Sequence, residues 1–339
     1  MPVVGPIGEP LAPMQLPTNW MLNDLLWTKE QAILAGINMK NVPIQAKYVS
    51  SFVSGFGRGA NNIETWRWPG NTDGQTRPYL AIPYRWLSGA HQDAGARQII
   101  SESFDLITAD VGGCIRFVDD SEVQAHNYWI RLQDDDIIGC RATAGYHGMF
   151  STKPSQELNL AHRCLDSSTI NHEMLHSLGF FHEQSRPDRD QYIDIHFERI
   201  NSTYTSQFDT MDSKGFDWLN MSSPYDFKSI MHYDAFSAQT NEAISAKLPT
   251  MTKKGTDVPV AHPDNMRLSS NDAFQLAKMY ENFCGKPGGN YIKVRTCDDG
   301  ARYLKNRVCD GIKDCDDNSD ETLSFCSTLC YFLRFRKRL

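Results

Sequence analysis

The chain reads as an α+β fold: a two-lobed domain with a cleft between its lobes, followed by a small disulfide-rich module. Three observations carry this. Strand-like and helix-like stretches alternate up to about residue 181. From there to residue 284 the pattern is irregular. Beyond a Gly/Pro-rich linker, cysteines and carboxylates crowd into thirty residues. With 339 residues and 40% hydrophobic content, the stretch 59–284 is long enough for one core shared by two lobes.

The elements follow in order. Residues 1–58 are a Pro/Gly-rich leader with a short helical patch at 24–34, too little for a core of its own. Residues 78–84 (PYLAIPY) predict a strand. Residues 93–109 place Ala96, Ile99, Ile100, Phe104, Leu106 and Ile107 at helical spacing. Residues 114–118 and 128–132 alternate as strands. Residues 167–181 predict a helix, and it carries the chemistry.

That helix contains His172-Glu173-Met174-Leu175-His176, then Gly179 and His182. Residues four apart share a helix face, so His172 and His176 aim two imidazoles at one point. Glu173 lies beside that face, within reach of a water held there. Gly179 has the freedom to end the helix and turn the chain, which returns His182 as a third nitrogen. Three imidazoles leave a fourth position on a zinc ion open for water, the layout of a catalytic site. Zinc lowers the pKa of that water to about 7, and a neighbouring carboxylate takes its proton. The motif H-E-x-x-H alone is weak; Gly at its eighth position and His at its eleventh make it specific. The other histidines, His91, His126, His147, His162, His196, His232 and His262, have no ligand spacing.

About fifty residues on, Ser229-Ile230-Met231-His232-Tyr233 looks like the Met-turn beneath the metal in metzincins. The stretch 169–192 (TINHEMLHSLGFFHEQSRPDRDQY), the segment Gly113-Cys114-Ile115-Arg116-Phe117 and the Ser-x-Met-His-Tyr turn together resemble the astacin family of zinc endopeptidases, from about residue 66 to residue 284. The resemblance implies a metzincin catalytic domain with zinc at the floor of the interlobe cleft. It makes His172, His176 and His182 the zinc ligands and Glu173 the general base and later acid. Tyr233 matches a tyrosine that binds the resting metal, then swings away to hydrogen-bond the tetrahedral intermediate, as suits a phenol facing a developing oxyanion. Met231 packs below the metal. Glu183 matches an acidic residue that meets the new N-terminal ammonium of the mature enzyme through buried water. Substrate peptide pairs with an edge strand, expected near residues 158–160.

Nine cysteines point to disulfides and an oxidising compartment, since the histidine motif already accounts for zinc. Connectivity is open from sequence alone. The astacin pattern implies Cys114–Cys284 and Cys140–Cys164. Sequons at Asn201 and Asn220 agree with a secreted glycoprotein. The first fifteen residues carry neither a charged start nor a long apolar run, so the expectation is either an export signal upstream or a misplaced start codon. No stretch approaches 18 apolar residues, and no membrane span is expected.

In such proteases the leader is an inhibitory propeptide whose Phe-x-Gly-Asp motif places its Asp at the zinc's water position. The nearest match is Met21-Leu22-Asn23-Asp24, with Phe and Gly both replaced; Asp24 is the candidate latency ligand. Activation is expected near Arg58, a single basic residue that suits a trypsin-like activating protease.

Residues 285–296 read as linker. Residues 297–326 resemble the calcium-binding half of an LDL-receptor class A repeat with its first and third cysteines missing. The resemblance implies Cys297–Cys315 and Cys309–Cys326, with Asp310, Asp314, Asp320 and Glu321 as calcium ligands; clustered carboxylates suit that ion. A protein ligand is a further expected partner of the repeat. Cys330 is left over, in a basic aromatic tail over 327–339. The net charge of −7, with no basic face or nucleic-acid motif, excludes nucleic acid as a partner. The chain is therefore expected to be a secreted, zymogen-derived zinc endopeptidase acting on proteins. The presence of every reacting residue argues against a catalytically dead binding protein.

Overall fold

The computed structural model describes residues 25–26, 67–69, 79–147, 153–214, 223–260, 267–285, 294–297, 302–310, 313–322 and 326, with Leu25 and Leu26 as backbone alone. Asp24, Asn220, Cys330 and the expected activation site at Arg58 lie outside the described residues.

The first lobe is a six-stranded sheet with two long helices. In chain order its elements are β1 (Leu25–Leu26), β2 (Leu80–Trp86), α1 (Ala94–Asp110), β3 (Ile115–Asp119), β4 (Trp129–Gln133), β5 (Cys140–Thr143), β6 (Ser155–Leu160) and α2 (Ser167–Ser177). The strands lie in the order β1-β5-β6-β4-β2-β3. β3, β2, β4 and β6 run parallel, and β5 is antiparallel to β6. Parallel neighbours need a crossover, and α1 supplies it between β2 and β3. The helix starts where the sequence places it, with the Asp93 side chain accepting from the Gly95 amide at 3.0 Å. Ala96, Ile100, Phe104 and Ile107 form its buried stripe.

One expectation is overturned here. The strand at 158–160 is not an edge: β6 pairs with β4 on one side and β5 on the other. Beyond β6 comes β5, and the backbone of Leu25–Leu26 runs parallel along its other side as the outermost strand, Leu25 opposite Ala142 and Leu26 opposite Thr143.

The second lobe is mostly turns and 3-10 helices, with a two-stranded antiparallel sheet of β7 (Ile193–Ile195) and β8 (Met251–Lys253) and a short helix α3 (Asn241–Ala246). Helix α4 (Ser270–Met279) then returns to the first lobe. Two apolar cores result. The larger joins the sheet, α1, α2 and α4; the smaller is built from Ile193, Ile200, Phe208, Tyr225, Tyr233 and Met251 among others. The Met-turn straddles them, with Ile230 and Met231 in the first core and Tyr233 in the second.

Cys114–Cys284 and Cys140–Cys164 are bonded. The first spans 170 residues, and a loop that long restricts the unfolded chain by about 5 kcal/mol in the entropy account. The C-terminal segment holds Cys297–Cys315 and Cys309–Cys326. Its first strand, β9 (Val294–Thr296), begins inside the expected linker because it pairs antiparallel with β10 (Arg302–Leu304).

Candidate metal centre and active site

Helix α2 is buried along almost its whole length, every residue from Thr169 to Ser177 included. Asp166 caps its start, accepting from the Thr169 amide at 3.0 Å. It stops at Ser177, four residues sooner than the sequence suggests. The Leu178 amide reaches back to Met174 and Leu175, Gly179 takes φ +106°, and its amide donates to the His176 carbonyl at 2.9 Å. A side chain at that φ is strained whatever the surrounding space. This stop swings residues 180–182 back across the helix end.

His172, His176 and His182 come together, each with a ring nitrogen within 4.8 Å of the others, and all three are buried. The His172 and His176 rings lie edge-on with centroids 4.7 Å apart, and Nε2 of His176 stands 3.1 Å from Nε2 of His182. Carbonyl oxygens only accept. His172 Nδ1, 2.7 Å from the Ile230 carbonyl, must therefore donate, and so must His176 Nδ1, 2.8 Å from the Phe180 carbonyl. With a proton on each of these two Nδ1 positions, Nε2 is the atom by which His172 and His176 can bind a metal. This donor set fits a zinc ion, for which imidazole is a preferred ligand.

Several side chains surround this cluster. Glu173 is buried on α2 next to His172. Tyr233 is buried, with its ring centroid 4.4 Å from that of His182. Met231 is buried beneath, and its carbonyl accepts from the Glu183 amide at 3.0 Å. Glu183 is not a solvated carboxylate: its Oε1 accepts from Arg186 at 2.8 Å and from the Asp226 amide at 2.8 Å. Burial pushes its carboxyl up to about 8, against the pull of Arg186. His232 holds the turn instead of a metal. Its Nδ1 donates to the Tyr233 carbonyl at 2.6 Å and its Nε2 accepts from the Tyr225 hydroxyl at 2.7 Å. Burial drives its pKa down to about 4, so the ring is neutral.

Two positioning groups escape a sequence reading. Gln184 Oε1 accepts from the Tyr233 amide at 3.1 Å, and Asp272 accepts from the Ser229 hydroxyl at 2.6 Å and the Ile230 amide at 2.9 Å. Asp272 is legible as the acidic partner of a capping box with Ser269. Its reach to a turn 42 residues upstream is not.

Residues 71–281 match the family described as Astacin (Peptidase family M12A). The chain belongs to the astacin family. Meprin A subunit alpha of Rattus norvegicus is 30% identical over 248 residues, which are 73% of this chain and 29% of that protein. Zinc metalloproteinase nas-12 of Caenorhabditis elegans is 28% identical over 299 residues, 86% of this chain and 66% of that protein. The chain thus spans less than a third of the length of the meprin relative. Among solved structures, High choriolytic enzyme 1, a hatching enzyme zinc-protease from Oryzias latipes, superposes with a TM-score of 0.52 at 26% identity, covering 65% of this chain and 96% of that one.

Outside this astacin domain, Asp310, Asp314, Asp320 and Glu321 do not all bring ligand atoms within 4.8 Å of one another. Among the described residues, the three histidines are the sole group of His, Cys, Asp or Glu whose ligand atoms lie within 4.8 Å of one another. Asp310, Asp314, Asp320 and Glu321, expected to share a calcium ion, each have other partners. Arg267 pairs with Asp310, Arg307 grips Asp314, Asp320 accepts from the Asp314 and Cys315 amides, and Glu321 accepts from the Asp310 amide. Asn201 is exposed, as its sequon requires, and caps the following 3-10 turn.

Proposed function

We propose that this chain is a secreted, zinc-dependent endopeptidase that hydrolyses peptide bonds in protein substrates and is made as a latent precursor. The observation that carries the reading is the convergence of three buried imidazoles with Glu173 beside them and Tyr233 against His182.

His172, His176 and His182 would hold the ion. When bound, zinc activates water at neutral pH and polarises the scissile carbonyl. Glu173 takes a proton from the attacking water as the new C–O bond forms. It then delivers that proton to the leaving amine nitrogen as the C–N bond breaks. Tyr233 donates a hydrogen bond to the oxygen that gains charge. Burial keeps competing water from these groups, and the carbonyls of Ile230 and Phe180 hold two of the rings in place.

The parallel run of Leu25–Leu26 along β5 supports a leader that lies along the strand available to a substrate, with Asp24 the latency residue. Asp24→Ala is expected to give precursor that cleaves substrate without prior processing; a mutant that stays latent would move the switch elsewhere. Glu183 is reserved for the ammonium of the processed N-terminus. Its raised pKa suits a carboxyl that ionises when a second cation reaches it.

The deciding assay removes the leader and offers a casein-type substrate with and without a strong zinc chelator. Cleavage is expected to be lost with chelator. It is expected to fall by about 10²-fold or more in Glu173→Gln. Cleavage that survives both would overturn the reading.

A further inference from the structure

We propose that the acidic loop of the C-terminal module is closed by the chain's own guanidinium, Arg307, and that this makes the module a calcium-independent brace of the catalytic domain. Arg307 is 1% exposed, among the largest fully buried side chains. Its Nε donates to both carboxylate oxygens of Asp314, at 3.0 and 2.8 Å, and its NH2 also meets Oδ1. The remaining nitrogen, NH1, stands 3.0 Å from Oδ1 of Asp110, a fully buried carboxylate at the end of α1. Arg267, just ahead of α4, pairs with the same Asp110 and reaches Asp310 at 3.1 Å. Two guanidiniums thus alternate with three carboxylates across the junction of module and catalytic domain. The planar, permanently charged fork of arginine suits such a buried arrangement.

The neighbouring contacts fix the same junction. Asn306 Nδ2 donates to the carbonyls of Ala109 and Asp110 at the end of α1, at 2.9 and 3.0 Å. Leu304 is fully buried within the main core, and Arg302 lies over the Phe274 ring of α4. Lys228, next to the Met-turn, pairs with Asp316. A divalent ion that took Asp314 would deprive the buried Arg307 guanidinium of its bidentate partner, which is strongly unfavourable.

The test uses the full, zinc-loaded chain. Equilibrium dialysis against calcium alone, up to about 1 mM where extracellular calcium modules fill, is expected to show no stoichiometric uptake. Hydrogen exchange of the amides in 302–322 is expected to be the same with and without calcium. In Arg307→Leu, exchange in that segment and in the last turn of α1 is expected to rise about tenfold or more. One bound equivalent of calcium, protection of 302–322 that depends on it, or unchanged exchange in Arg307→Leu would each overturn the proposal. If the variant does not accumulate as folded protein, dialysis of the unmodified chain decides.

Discussion

At the scale of single residues, the site depends on which nitrogen of each ring meets a carbonyl. The sequence shows three histidines at spacing that a helix and one turn bring together. It does not show that the Ile230 and Phe180 carbonyls select the tautomer, because those partners are backbone atoms with no signature. His232 makes the same point from the other side: in sequence it is one more histidine beside Met231, and in the fold burial holds it neutral between Tyr225 and a carbonyl. Glu183 was legible as an acid next to a ligand, but the raised pKa comes from a burial that no local pattern announces. Tyr233→Phe tests the role of the phenol. The ring packing against His182 and Phe208 is kept, while the donor is lost. We expect kcat to fall about 10²-fold, with KM and zinc content little changed; an unaltered kcat would leave Tyr233 as a packing residue.

At the scale of elements, helices and strands were readable and their neighbours were not. The apolar stripe of α1 runs where periodicity places it, and Asp93 begins it. The zinc-bearing helix begins on schedule at Ser167 but ends early, because Gly179 at φ +106° reverses the chain sooner than the apolar run suggests. Residues 158–160 look like any half-buried strand; that they sit inside the sheet depends on β5, a short strand whose antiparallel pairing is a non-local event. The β2–β3 edge of the sheet carries a testable electrostatic device. Burial works against a charge on Asp120, yet hydrogen bonds from Arg85, His126 and the Ala125 amide outweigh it and hold its carboxyl down at about 2. A depressed folded-state pKa gives stability that is complete above the unfolded value near 4 and is lost as pH falls toward 2. The Tm difference between the unmodified chain and Asp120→Asn should be full at pH 5 and should close between about pH 4 and 2. A difference that stays constant through that window would refute the linkage.

At the scale of the whole molecule, the described residues form two large apolar cores joined by a turn, with the histidine cluster beside that turn, and a third small one around the C-terminal disulfides. The Met-turn belongs to both cores, and α4 anchors it through Asp272. The four bonded cysteine pairs are the ones that the resemblances imply, while the sequence alone left connectivity open. The carboxylate pattern of the C-terminal module suggests a calcium ion. What the pattern could not convey was the course of one long side chain, Arg307, from the module into α1. No helix among the described residues is long and apolar enough to cross a membrane. The account as a whole rests on His172, His176 and His182 sharing one transition-metal ion. The most direct measurement is anomalous diffraction at the zinc edge on crystals of the purified chain, with metal content determined on the same preparation. We predict one zinc per chain and a single peak at the convergence of the three Nε2 atoms. Absence of a peak there, or imidazoles pointing apart around separate sites, would contradict it.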